Sequence, residues 1–92
     1  MDAHRNAEEL FYTLERLLDS MIDHQRGKVF KTAQRLRPNI TEDDVMDPHS
    51  IPEIAQHPGF AYEDGQLAGL VSARVALSRD GAAYLRQLFE KQ

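Results

Sequence analysis

The residues of this chain best suited to chemistry gather in one stretch, 43–57. Asp43, Asp44, Asp47 and His49 follow one another closely, and Glu53 and His57 stand four residues apart. Imidazoles among carboxylates are what a transition-metal site uses, and a pair at i and i+4 shares one helix face. The spacings complete no ligand pattern, however. There is no paired Glu-x-x-His of a di-iron bundle and no His-Glu-x-x-His. Acids scattered along a connector remain solvated at little cost. The expectation is therefore no metal, no cofactor and no acid–base centre here. Ser20, Ser72 and Ser78 have no His–acid partner at a recognisable spacing, so no nucleophile is assigned.

Arg74 is the single charge between residues 65 and 77. It falls on an apolar stripe, where a charge is costly unless paired. Two readings follow. Its stem lies along the core and its head reaches an acid of the connector, or its guanidinium awaits a carboxylate or phosphate ligand. The ion pair is the expected one. Residues 26–37 hold Arg26, Lys28, Lys31, Arg35 and Arg37 with no acid. Nucleic-acid binding would need these bases on one side, but Arg26 and Lys28 point nearly opposite ways on a helix, and the acidic remainder repels phosphate. A solvated helix end, where cations suit the dipole, is the plainer reading. Glu8, Glu9 and Glu15, with Glu63 and Asp64, resemble in type the paired acids of all-α nucleotide pyrophosphohydrolases. That family's Glu-x-x-Glu and Glu-x-x-Asp spacings are absent, and no activity is carried over.

The elements that must position these residues are two long apolar-striped segments. In the first, Phe11, Leu14, Leu18, Ile22, Val29, Ala33 and Leu36 recur at helical spacing, interrupted only by Gln25 and widened by Leu10, Leu17, Met21 and Phe30. The stripe keeps its phase across Gly27, so one helix over about 4–37 is expected, capped by Asp2 or Asn6 with Glu8 and Glu9 near its positive end. All four prolines lie in the connector, 38–59. Thr41 is placed to cap one short turn, and Ser50 with Glu53 to form a capping box for a second. Val45, Met46, Ile51 and Ile54 are expected to pin the connector to the helices.

The last segment, about 60–90, carries two different sides. Leu67, Leu70, Val71, Val75 and Leu77 fall on one. Gly65, Ala68, Gly69, Ser72, Ala73 and Ala76 fall on the other. The stripe continues in phase through Ala82, Leu85 and Phe89, which predicts continuity with a kink near 80–81. A helix lacking a polar side is buried all round, and Gly65, Gly69 and Ala73 have the small-xxx-small spacing that lets backbones approach. Either the first helix covers the small side or a second molecule does.

Ninety-two residues, 41% hydrophobic and 28% charged, make one small domain that buries a thin core. There is no cysteine, which excludes disulfides and thiolate chemistry and fits a cytoplasmic protein. The start is polar rather than signal-like, and no apolar run spans a bilayer. Charge is blocky: residues 1–25 hold two bases against six acids, 26–37 five bases, 38–73 seven acids, and 74–92 four bases against two acids. Blocks of opposite sign pair within a fold or across an interface. The sequence thus predicts an all-α domain, 1–92: two long antiparallel helices joined by a proline-rich connector with two short turns, dimerising into a four-helix bundle. The expected function is a non-enzymatic protein–protein interaction or assembly module, a homodimer with Gly65, Leu67, Gly69, Leu70, Val71, Ala73 and Ala76 at its interface. Two alternatives are a small metal-dependent or nucleotide-handling enzyme using the connector acids, and a nucleic-acid-associated regulator using 26–37.

Overall fold

The computed structural model describes residues 3–90, without the side chains of His4, His49 and Phe89. The chain is all-α. A long helix α1 (Ala3–Leu36) and a long helix α4 (Pro58–Glu90) pack side by side in an antiparallel hairpin, with α2 (Glu42–Met46), a 3₁₀ turn (Pro48–Ser50) and α3 (Pro52–Ala55) between them.

Helix α1 runs unbroken through Gly27, which is exposed, with open space where a Cβ would stand. Asn6 lies inside the helix rather than at its cap, and Asp2 lies outside the described residues. The helix stops where Pro38 removes an N–H and pushes its predecessor out of the α region. Arg37 N–H still donates to the Ala33 carbonyl at 2.9 Å. Helix α4 begins earlier than the sequence suggests. His57 caps it: its carbonyl accepts from Ala61 N–H at 2.9 Å and its Nδ1 from Gly59 N–H at 3.1 Å. Pro58 then takes the first position, where its missing N–H does no harm. At the other end α4 continues through Asp80 and Gly81 without interruption.

In the connector, Thr41 and Asp44 form a reciprocal capping box, with Thr41 Oγ1 accepting from Asp44 N–H at 3.2 Å and Asp44 Oδ2 from Thr41 N–H at 3.1 Å. The expected box at Ser50 and Glu53 does not form. The 3₁₀ turn makes Ile51 the cap residue, Ser50 Oγ donates instead to the Asp47 carbonyl at 2.8 Å, and Glu53 accepts from Arg37 at 3.3 Å. Ile51 and Ile54 do turn inward, joining Val29, Ala33, Ile40 and Phe60 in the core cluster, with Val45 partly buried against it. Met46 was also expected there. It is 83% exposed, because the five-residue α2 points that side away.

The shape is a rod, 55 × 19 × 19 Å. Its radius of gyration is 17.9 Å, where a compact domain of this length would have about 12 Å. Its accessible surface is 6906 Å², roughly 1,500 Å² more than a compact monomer of this mass exposes.

Candidate functional site

Two polar clusters tie α1 to α4. In the middle of the rod, Arg74 Nε donates to Asp19 Oδ1 at 2.8 Å and Nη2 to Asp19 Oδ2 at 3.5 Å. Its Nη1 donates to Glu15 Oε2 at 3.0 Å and to Ser78 Oγ, and Ser78 Oγ donates to Glu15 Oε2 at 2.9 Å. The hydrogen bond to Asp19, aided by the charges of Asp19 and Glu15 and opposed by burial, holds the guanidinium above its ordinary pKa. Arg74 is thus ion-paired, but its partners come from α1 and not, as expected, from the connector. The reason is register: residues 15 and 19, one turn apart on α1, stand level with residues 74 and 78 on α4. All donors that face these acids are spent within the cluster, which makes it a lock on helix register rather than an anion site.

Nearer the connector, Gln25 is 5% exposed. Its Nε2 donates both to the Glu63 carbonyl at 2.9 Å and to Glu63 Oε2 at 2.6 Å. The single break in the α1 stripe is therefore a second tie between the helices. The signal was in the sequence, a lone amide on an apolar seam, but its partner was not.

The connector acids do not converge. Among the described residues, no three His, Cys, Asp or Glu side chains stand close enough to hold a metal ion. His49's side chain lies outside those described. Asp44 is engaged in its cap, where the Thr41 backbone N–H and then the Thr41 side chain lower its pKa. His57 caps α4 and Glu53 pairs with Arg37. In the basic block, Arg26 pairs with Asp23 at 3.7 Å. Among the described residues no helix is long and apolar enough to cross a membrane.

The proposed interface residues separate into two groups. Leu67 packs against the core cluster, and Val71 is half-buried in the seam with α1. Gly65, Gly69, Ala73 and Ala76 are exposed, and Cβ atoms built at Gly65 and Gly69 would meet nothing within 4 Å. Helix α1 therefore lies on the branched side of α4 and leaves the small side open. Leu70 stands between the groups, lining a groove with Gly69 and Gln66 of α4 and Ser20, Met21, His24 and Gln25 of α1. Val75, counted with the branched side, is half exposed, since it lies one residue past Arg74 and so about 100° off the seam.

The two flanks of the seam differ. On α1, residues 12, 16, 19, 23 and 26 follow one flank at three- and four-residue steps: Tyr12, Arg16, Asp19, Asp23 and Arg26. These satisfy one another or α4, with Arg16 over the Tyr12 ring at 5.8 Å, Arg26 on Asp23 and Asp19 on Arg74. Residues 10, 14, 17 and 21 follow the other flank: Leu10, Leu14, Leu17 and Met21, all exposed. In the sequence, Leu14 belongs to the apolar stripe and Leu10, Leu17 and Met21 widen it. Only the position of α4 reveals that this flank is left uncovered. Comparisons with protein-family models, with curated proteins and with solved structures find no match to the chain.

Proposed function

We propose that the chain is a non-enzymatic helical assembly module that pairs with a second copy of itself to complete a four-helix bundle. The observation that carries this reading is the surplus of surface. Away from the connector, the two-helix rod has no inside beyond its single seam. Its exposed area exceeds that of a compact monomer by roughly 1,500 Å², about twice the 800 Å² that each partner of an ordinary interface contributes. The exposed part is rich in large apolar side chains: Leu10, Leu14, Leu17, Met21, Tyr62, Tyr84 and Leu88. Such surface marks an interaction site. Asp44, His57, Glu53 and Arg74, among the polar groups that could do chemistry, are engaged in caps and ties, which supports an architectural role. The cytoplasm is the compartment that the cysteine-free composition favours.

Light scattering coupled to size exclusion at tens of micromolar tests this. The expected mass is twice the 10.5 kDa of the chain. The monomer mass throughout the accessible concentration range would overturn it.

A further inference from the structure

The hairpin has two broad sides, and they differ in character along the half of the rod away from the connector. We infer that the side formed by Leu14, Leu17 and Met21 of α1 with Leu70, Ala73 and Leu77 of α4 is the surface that meets the second copy, in a two-fold symmetric stack. This rests on the self-association proposed above and assigns its surface.

Three observations place it there. First, the α1 residues share a flank. Residues 10, 14, 17 and 21 step by four, three and four, so they lie within one strip of the helix. They stand on the opposite side of the seam from Asp19, because residue 17 is rotated about 100° one way from Leu18 and residue 19 the same amount the other way. Second, α4 continues the same side. Met21 and Leu70 line one groove, and residues 70, 73, 77, 84 and 88 repeat the pattern along α4, ending in the exposed Tyr84 and Leu88. The exposed small positions Gly69, Ala73 and Ala76 edge this side. There a facing helix could approach closely, with Gly69 as the floor of a hole for a leucine or methionine knob. Third, the other side is already satisfied. Arg16, Asp19, Asp23 and Arg26 have partners within the monomer, and covering them would strip water from charges for no new pairing.

A second copy is the occupant that fits. Covering one side removes an area of the order that stable dimers bury per subunit, and the surface is self-complementary in shape: leucines along α1 and small residues along α4. Charge agrees as well. Acidic residues 1–25 lie beside basic 74–92, and basic 26–37 lie beside acidic 38–73. Stacking the copies with their rods parallel sets α1 over the partner's α4 and so brings an acidic block over a basic one, whereas an antiparallel stack centred on this surface would set each block over its own sign.

The test measures mass and proximity on the whole chain. Leu14→Glu with Leu17→Glu should convert the dimer to a monomer with its helical circular dichroism retained, since both positions are exposed in the hairpin. Ala68→Glu with Ser72→Glu, each about 100° round α4 from Gly69 and Ala73 and turned away from this surface, should leave the dimer intact. Because the chain has no cysteine, single-cysteine variants give a second readout that needs no disruption. Leu17→Cys and Ala73→Cys should be linked to dimer by a short bis-maleimide, and Ser72→Cys should not. If the wild type is dimeric but the Leu14 and Leu17 variant stays dimeric, or Ser72→Cys links and Leu17→Cys does not, this surface is wrong and self-association stands. A monomeric wild type removes both. If the glutamate variant unfolds, the cysteine pattern alone decides.

Discussion

At the connector end, α1 and α4 are closed off by a third layer; at the other end they have only each other. The connector layer lets Phe60 reach 2% exposure and Ile54 reach 0%, among Val29, Ala33, Ile40 and Ile51. Among the described residues, none N-terminal to Ile22 or C-terminal to Phe60 is buried to that degree. The same two helices thus have a sealed core at one end and a half-covered seam at the other. The difference teaches that helix pairing alone hides one strip per helix, and closure needs a further element. At the connector end the chain supplies that element from residues 38–57. At the open end none of the described residues does, which is why a second copy is proposed there.

The largest test of this contrast is truncation at each end. Phe60→Ala should cost about 3–5 kcal/mol in urea unfolding, as large-to-small changes in sealed cores do. Leu85→Ala, in the open half, should cost about 1 kcal/mol, since a half-covered side chain loses less transfer energy and leaves no closed cavity. Equal costs would mean that the open end is as well packed as the connector end. Native-state hydrogen exchange should grade the same way, slowest around residues 29–33 and fastest near the ends of α1 and α4 away from the connector.

Next in size is the tie in the middle. Arg74→Met keeps the aliphatic stem and removes the charge that holds Glu15 and Asp19 together. The melting temperature should fall, by less than for Phe60→Ala, and part of the loss should return in high salt as the repulsion between the two carboxylates is screened. A melting temperature at or above that of the wild type would show that the cluster fixes register without stabilising, as some partly buried ion pairs do.

Much of this arrangement was legible in the residues, and the boundary of what was legible is physical. Both long helices could be read because apolar spacing keeps phase through Gly27 and Gly81, and phase is a local property. The Thr41 cap could be read because its partner is three residues away. What could not be read were the contacts that depend on how the helices lie against each other. Arg74 reads as the partner of a connector acid because local spacing does not say which residues of α1 stand level with residue 74. Leu14 and Leu17 looked like core because their spacing resembles that of Leu18, and a rotation of about 100° decides which side is covered. Ser50 failed as a cap because a one-residue shift by the 3₁₀ turn moved Ile51 into its place.

Two glycines sharpen the comparison on a smaller scale. Gly27 has open space around it, so Gly27→Ala should add about 1 kcal/mol of stability by helix propensity alone. At Gly81 a Cβ would overlap the far edge of the Phe11 ring. Gly81→Ala should therefore yield no such gain, because the ring must swing aside and lose its seat on the seam. If both substitutions stabilise equally, Phe11 moves freely, and the open half is looser than a paired seam.

The smallest effect lies in the fastening of the connector layer itself. Asp44's carboxyl is held below the ordinary value of 3.8, first by the hydrogen bond from Thr41 N–H, then by the Thr41 side chain, with a lesser contribution from Arg37. A carboxyl depressed in the folded state stays ionised there while the unfolded chain has begun to take up protons. Its contribution is therefore complete above the unfolded pKa and is lost as pH falls through the folded one. Acidification below about 3.8 should loosen α2, because a protonated Asp44 accepts more weakly from Thr41 N–H and no longer complements the helix dipole. The side-chain NMR titration of Asp44 should have its midpoint below 3.8. In Thr41→Val, which keeps the backbone donor but loses the hydroxyl, the midpoint should move back part of the way. A wild-type midpoint at or above the ordinary value would mean that the box does not hold in solution, and the connector end would then owe its closure to Ile40, Ile51, Ile54 and Phe60 alone.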